Sequence, residues 1–192
     1  MEKLIIVITL FILFICVYMH FENKLNDLIY VKSDIDGKEY LVQRYNDSKK
    51  AANLISKTRK KLEDLTNYCY EKYNNSATQR LKNKFDGDSI VEVGKGSKYT
   101  SYSINKGEKI VLCLRSRDGN NKLVDGNTLI FVAIHELSHI MTLSKHHQPE
   151  FWDNFRFLLK KAIEMGIYKN INYKKNPKPY CGITISSSPL FN

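Results

Sequence analysis

Residues 128–143, TLIFVAIHELSHIMTL, decide how the chain is read. Apolar side chains fill nearly every position outside one polar stripe, over a length that suits a helix rather than a strand. His135 and His139 stand four residues apart, so on a helix they share one face and both imidazoles can reach a single metal ion. Glu136 follows the first histidine, where a carboxylate can lie beside such a metal and take a proton from a bound water. H-E-x-x-H is a short pattern, and an amphipathic helix with two histidines and a glutamate on its polar side is its ordinary explanation. The histidine distribution argues otherwise. Four of the five histidines fall within residues 135–147, and core packing gives no reason for that concentration.

A catalytic zinc takes three protein ligands and keeps an open position for water. His135 and His139 supply two. His147 is the favoured third, because it lies four residues before Phe151 and just ahead of a second helix, where Phe151 and Trp152 can hold it by packing. His146 is the alternative, followed by a carboxylate such as Glu164 or Asp153. If His135, His139, His146 and His147 all bound one metal, no position would remain for water and the site would be structural.

Outward from this centre, residues 98–104 (KYTSYSI) and 108–114 (EKIVLCL) flank Asn105-Lys106-Gly107, a hairpin signal. Residues 89–93 (SIVEV) read as another strand. Gly94-Lys95-Gly96 reads as a turn, since a phosphate loop needs a following helix. Residues 115–126 form a polar loop, with Asn127 as N-cap of the motif helix. Residues 38–45 (KEYLVQRY) predict a strand. Asn46-Asp47-Ser48 then caps a helix to about residue 73, whose stripe of Ala51, Ile55, Leu62, Leu65 and Cys69 faces a core. Ser76-Ala77-Thr78-Gln79 predicts a capping box for a short helix to Phe85. Pro149 suits the first turn of a helix carrying Phe151, Phe155, Leu158, Leu159 and Ile163, which ends near Gly166. The tail holds a strand-like GITIS, residues 182–186. The strands and helices read as one α+β domain.

Residues 4–19, LIIVITLFILFICVYM, are apolar except for Thr9. With His20 and Phe21 they make a stretch of about 18 residues, near the lower limit for crossing a bilayer. A cleavable signal peptide competes, but no small-x-small site follows. The expected organisation is an N-terminal transmembrane anchor over 1–21, a tether with an early strand over 22–37, and a domain over 38–192, giving a single-pass membrane protein. Lys3 and Lys24 flank the segment equally, so its orientation is open.

The formal charge is +10, from 30 basic and 20 acidic residues, and lies beyond the apolar segment. It fits an acidic partner such as nucleic acid or anionic lipid, or a lysine-rich solvated surface. Cys16, Cys69, Cys113 and Cys181 form no C-x-x-C. They read as free thiols in a reducing environment, with one disulfide among the last three as the alternative.

The order HELSH (135–139) then HHQPEFW (146–152) resembles the WLM-type and SprT-like zincin peptidases, where HExxH precedes a short loop, a histidine and a Phe-Trp-like pair. The resemblance covers residues 128–160. The apolar start and the tail PYCGITISSSP are similar to small membrane-anchored WLM-like proteins of algae and large DNA viruses. His147 corresponds to an insertion of about two residues relative to the family's pattern, His146 to about one. The resemblance implies a minimal zincin fold, a few-stranded, mostly antiparallel sheet packed on the motif helix, with Zn²⁺ as cofactor. It implies hydrolysis of protein or peptide substrates, with Glu136 as general base and later proton donor. A strand within 98–114 would pair with extended substrate, and Tyr180 is a candidate oxyanion donor. Two alternatives stand beside this: a protease acting on DNA-bound or crosslinked proteins, and a non-enzymatic, zinc-stabilised protein of a membrane or virion.

Overall fold

The computed structural model of the chain describes the backbone of residues 2–25 and 27–191, and the side chains of 5–19 and 27–191. The first helix, α1 (Glu2–Leu25), carries the apolar segment. Its described side chains are all exposed. Thr9 donates its hydroxyl to the Ile5 carbonyl one turn back, at 2.9 Å, which removes its polar group from an apolar surface. Among the described residues no helix is long and apolar enough to cross a membrane. The span expected over 4–21 lies partly outside them, because the side chains of residues 4, 20 and 21 are not described.

Strands β1 (Leu28–Lys32) and β2 (Glu39–Gln43) pair antiparallel from Leu28↔Gln43 to Lys32↔Glu39. β1 is the early strand expected within residues 22–37, and its pairing joins it to β2. On β2 the alternation buries Tyr40 and Val42. Helix α2 (Ser48–Tyr73) lays Ala51, Ile55, Leu62, Leu65 and Cys69 into the core, as the spacing predicts. Its expected side-chain cap is absent: the Asp47 carboxylate is taken by Arg115 at 2.6 Å. Helix α3 (Ser76–Lys84) is capped by Asn75, one residue before the expected Ser76, with Thr78 closing the box.

Strands β3 (Ile90–Glu92), β4 (Tyr102–Ile104) and β5 (Lys109–Leu112) form one sheet in the order β3-β5-β4. The β4–β5 hairpin is antiparallel around the predicted turn, whereas β3 runs parallel to β5. Gly107 in that turn has φ +118, and a Cβ there would sit 2.4 Å from the Lys84 carbonyl oxygen, so only glycine fits. The expected single sheet is in fact three small ones among the described residues. Such short ladders are stabilised by packing rather than by their own hydrogen bonds.

Helix α4 (Gly126–Met141) is apolar nearly all round, and the fold wraps it. Its neighbours are β4, α2, α3 and a second long helix, α5 (Pro149–Glu164). The cap of α4 is Asp125, whose carboxylate accepts the Thr128 amide at 2.9 Å. Asn127, predicted for that role, lies one residue inside the helix and ties it to Lys169 through both its amide atoms. The chain closes with the hairpin β6 (Lys178–Tyr180) and β7 (Ile183–Ile185). Its two-residue turn, Cys181-Gly182, has both residues at positive φ, the conformation that matches strand twist.

Cys181 is disulfide-bonded to Cys113, 68 residues earlier. This corrects the free-thiol reading and uses the pairing that spacing could not indicate. Among the described residues Cys16 and Cys69 remain free. Burial pushes the Cys69 thiol up to about 12, so it is an inert core residue.

Candidate metal centre

One turn of α4 places His135 and His139 on one side of the helix, half-buried, with their Nε2 atoms 3.2 Å apart. After Met141 the chain turns back through residues 142–148 and α5 begins at Pro149. That return brings His147 Nε2 to 3.1 Å from His135 Nε2 and 3.2 Å from His139 Nε2. Phe151, fully buried, forms the floor under all three rings, with centroid distances of 4.9, 4.4 and 4.5 Å to His135, His139 and His147. Trp152 flanks His147 at 5.6 Å.

Among the described residues, His135, His139 and His147 form the group able to hold a metal ion. His146 is not in it; its backbone takes the left-handed conformation, φ +61, that turns the chain toward His147. Asp153 and Glu164 point elsewhere, paired with Arg156 and Lys161 at 2.8 Å each.

The loop carrying His147 is held from three sides. Lys106 in the β4–β5 turn donates to the carbonyls of Thr142, Leu143 and Ser144 at 2.9, 2.5 and 3.3 Å. Glu150 accepts the amides of Leu143 and Ser144, both at 2.9 Å. Asn154 donates to the Thr142 hydroxyl at 2.9 Å, and Arg80 donates to the Met141 carbonyl. None of these was singled out from the sequence. The readable signal was Glu150 in the first turn of a Pro-initiated helix, where an acidic side chain is favoured.

Burial pushes His135 down to about 3 and His139 to about 4, with the neighbouring imidazoles adding to the shift. His147 is lowered for the same reasons. All three are therefore neutral near pH 7, with lone pairs to offer. Three imidazole nitrogens cannot satisfy one another, and a cation at their focus satisfies all three. Two nitrogens on a tetrahedral zinc, about 2.05 Å out, stand about 3.3 Å apart. The observed triangle fits that spacing.

Glu136 is buried on the adjoining side of α4. Burial pushes its carboxyl up to about 8, opposed by a hydrogen bond from the Ser103 backbone. Glu136 and the three histidines share an open cleft of about 690 Å³ with Tyr102 and Ser103 of β4. Since β4 is an edge of its sheet, one side of that strand is available to an extended chain. Tyr180 lies behind Glu136, buried, with its hydroxyl donating to the Cys113 carbonyl at 2.9 Å and 2.7 Å from Ser101 Oγ. It is close to the centre but already committed.

A family model for the WLM domain matches residues 48–185. The chain belongs to the WLM-domain family. WLM domains are a zincin-type metalloprotease family. The chain is 35% identical over 166 residues to the uncharacterized protein R325 of Acanthamoeba polyphaga mimivirus, covering 84% of each chain. It is also 35% identical over 82 residues to the uncharacterized protein 136R of Invertebrate iridescent virus 6, covering 42% of this WLM protein and 44% of that one. The crystal structure of a Wss1 mutant from Saccharomyces cerevisiae shares its fold, with a TM-score of 0.50 at 21% identity, over 66% of this chain and 91% of that one.

Proposed function

We propose that this WLM-domain protein is a zinc-dependent endopeptidase, with His135, His139 and His147 as metal ligands and Glu136 as general base. The supporting observation is the convergence of three neutral imidazoles within 3.2 Å of one another, beside a buried carboxylate and an edge strand. A bound zinc supplies a Lewis acid that lowers the pKa of its water and polarises the scissile carbonyl. Glu136 takes the proton from the attacking water and returns it to the leaving amine. Its raised pKa suits both steps near neutrality. Strand β4 orients the substrate in extended form, adding main-chain hydrogen bonds along its free edge. Tyr180 would reach an oxyanion only by releasing Cys113, so its assigned part is to hold Ser101 and the end of β5.

The apolar helix α1 makes a membrane tether part of this proposal: its described side chains, residues 5–19, are exposed and apolar except for Thr9. Deleting residues 1–24 should move the protein from the membrane to the soluble fraction after alkaline carbonate extraction. Release of the full chain by carbonate would remove the tether from the proposal.

The peptidase test uses the full chain, detergent-purified and zinc-loaded, against an unfolded protein such as casein. Glu136→Gln should lower cleavage about 10³-fold while leaving one zinc bound per chain. Equal cleavage by both proteins, or none by either, counts against the assignment. A second reading, action on nucleic-acid-bound proteins, is supported by the +10 charge. It requires DNA affinity that falls steeply with salt, and no binding at low salt would remove it.

A further inference from the structure

The Gly94-Lys95-Gly96 turn of the sequence has no part in the metal centre. It forms as a turn, with the Ser97 amide donating to the Gly94 carbonyl at 3.4 Å and Gly96 at φ +71. The amides of Lys95 and Gly96 donate to no group among the described residues. The turn borders a cavity of about 370 Å³, whose other walls include Tyr45, Arg115, Arg117 and Asn121. This cavity shares no residue with the cleft that holds Glu136 and the three histidines.

Three cations line the cavity, Lys95, Arg115 and Arg117, and no carboxylate does. Arg115 is the decisive one, because it is only 3% exposed. Its Nη1 donates to the Asp47 carboxylate at 2.6 Å and to the Asn121 carbonyl at 3.2 Å. Its Nε lies 3.1 Å from the Glu92 carboxylate. Its Nη2 is buried and has no hydrogen-bond partner among the described residues. A buried charged donor left without an acceptor carries its full desolvation cost. The guanidinium carbon lies 4.5 Å from the centroid of the Tyr45 ring, and Lys95 Nζ lies 4.4 Å from the same centroid, so the two cations stand together. Lys95 meets the Asp27 carboxylate only at 4.0 Å, beyond hydrogen-bonding reach. Arg117 is exposed and spends one nitrogen on the Tyr99 carbonyl at 2.6 Å.

We propose that this recess binds the terminal phosphoryl group of a small phosphate monoester. The free donors come from two sides: the Arg115 guanidinium at the end of the central strand, and the Lys95 side chain and two main-chain amides of the turn. A carboxylate presents its two oxygens on one side, whereas a tetrahedral anion carries acceptors toward both. A phosphodiester has chain on two of its four oxygens. A monoester has chain on one and can enter a recess closed at Arg115. A water's share of liquid volume is about 30 Å³, so the space takes a phosphoryl group and the first atoms of its bearer. No helix starts at this turn, and the buried guanidinium supplies the fixed positive charge that a helix N-terminus provides in a phosphate loop.

The experiment titrates the full chain, detergent-purified and zinc-loaded, by calorimetry with inorganic phosphate, phenyl phosphate and dimethyl phosphate. The first two should bind with unit stoichiometry, and the diester about tenfold or more weaker. Arg115→Lys removes the Nη2 donor and should weaken phosphate about tenfold or more, the loss expected for one hydrogen bond between charged groups. Should that buried variant misfold, Lys95→Met combined with Arg117→Met, both at exposed positions, should give a loss of the same size. Absence of heat at millimolar phosphate overturns the site, as does equal binding by the wild type and the variants. Dimethyl phosphate or a DNA duplex without terminal phosphates, binding as tightly as phenyl phosphate, overturns the preference for a monoester. Phosphate binding that is lost in His147→Ala but unchanged in the Lys95 and Arg117 variant places the anion on the zinc and overturns the site. Peptide cleavage plays no part in these readouts, so the outcome is independent of the peptidase assignment.

Discussion

Lys106 holds its ammonium 2.9 Å from the carbonyl oxygen of Thr142, so the turn of the β4–β5 hairpin is fastened to the C-terminal end of the motif helix. A cation there meets the unpaired carbonyls and the negative end of the helix dipole. It also fixes the loop that delivers His147. Lys106→Met should therefore weaken zinc binding about 10- to 100-fold, the range for outer-shell partners of a metal site. Lys106→Arg should recover part of the loss. Competition with a chromophoric chelator measures this, and unchanged affinity in Lys106→Met would show that the loop is held without it.

The two adjacent histidines are predicted to separate cleanly. His147→Ala removes one of three converging nitrogens and should lower zinc affinity by more than about 100-fold. His146→Gly should leave affinity within about twofold and raise stability by about 0.5 to 1 kcal/mol, because glycine accepts φ +61 without strain. Isothermal titration and urea unfolding distinguish the pair. Loss of zinc in His146→Gly would move the third ligand to His146.

Closing a loop between residues 68 apart restricts the unfolded chain, and a disulfide of that span contributes up to about 4 kcal/mol. Cys113→Ala with Cys181→Ala should lower the midpoint of thermal unfolding, and a reducing agent should do the same to the wild type alone. A midpoint indifferent to reductant would mean the bond is not formed in solution.

Glu92 and Arg115 make a buried pair, 3.1 Å apart. Burial nonetheless lifts the Glu92 carboxyl to about 7 from an ordinary 4.5, against the Gln43 amide and the Arg115 guanidinium that pull it down. The folded protein thus keeps a proton that the unfolded chain gives up. This group's contribution to stability is full below about 4.5 and is lost as pH rises toward 7. In metal-free protein His135 and His139 act oppositely: their depressed values make stability fall as pH drops from about 6.5 toward 4. The contrast with Glu92→Gln isolates the first effect. Urea unfolding at pH 5 and pH 8 should show the wild type losing ground to the variant at the higher pH, and a difference that does not change with pH would refute the shift.

Short-range periodicity carried most of what was legible. The 3.6-residue repeat identified α2, α4 and α5, and the i, i+4 spacing put His135 and His139 on one face, because both depend only on neighbours along one helix. Turn chemistry located the β4–β5 hairpin. Capping was less legible: Asp125, Asn75 and Asp47 behave as their local geometry and competing partners dictate, and Asn127 lies two residues past the cap position it was expected to fill. The early strand expected within residues 22–37 is β1, and Asp36-Gly37, a turn signal in the sequence, lies between it and its partner β2.

The sequence by itself pointed to the family and the motif helix, and put His135 and His139 on one face of that helix with Glu136 beside them. The tertiary structure brought His147 to His135 and His139 while His146, Asp153 and Glu164 lie outside that group, paired Cys113 with Cys181, ran β3 parallel to β5, and committed the Tyr180 hydroxyl to Cys113 and Ser101. These are relations across 8 to 79 residues of intervening chain. Spacing along the chain bounds such distances without setting them. Which groups meet is settled by how α5, the β6–β7 hairpin and the Lys106 turn pack around an apolar helix that must be covered on every side but one.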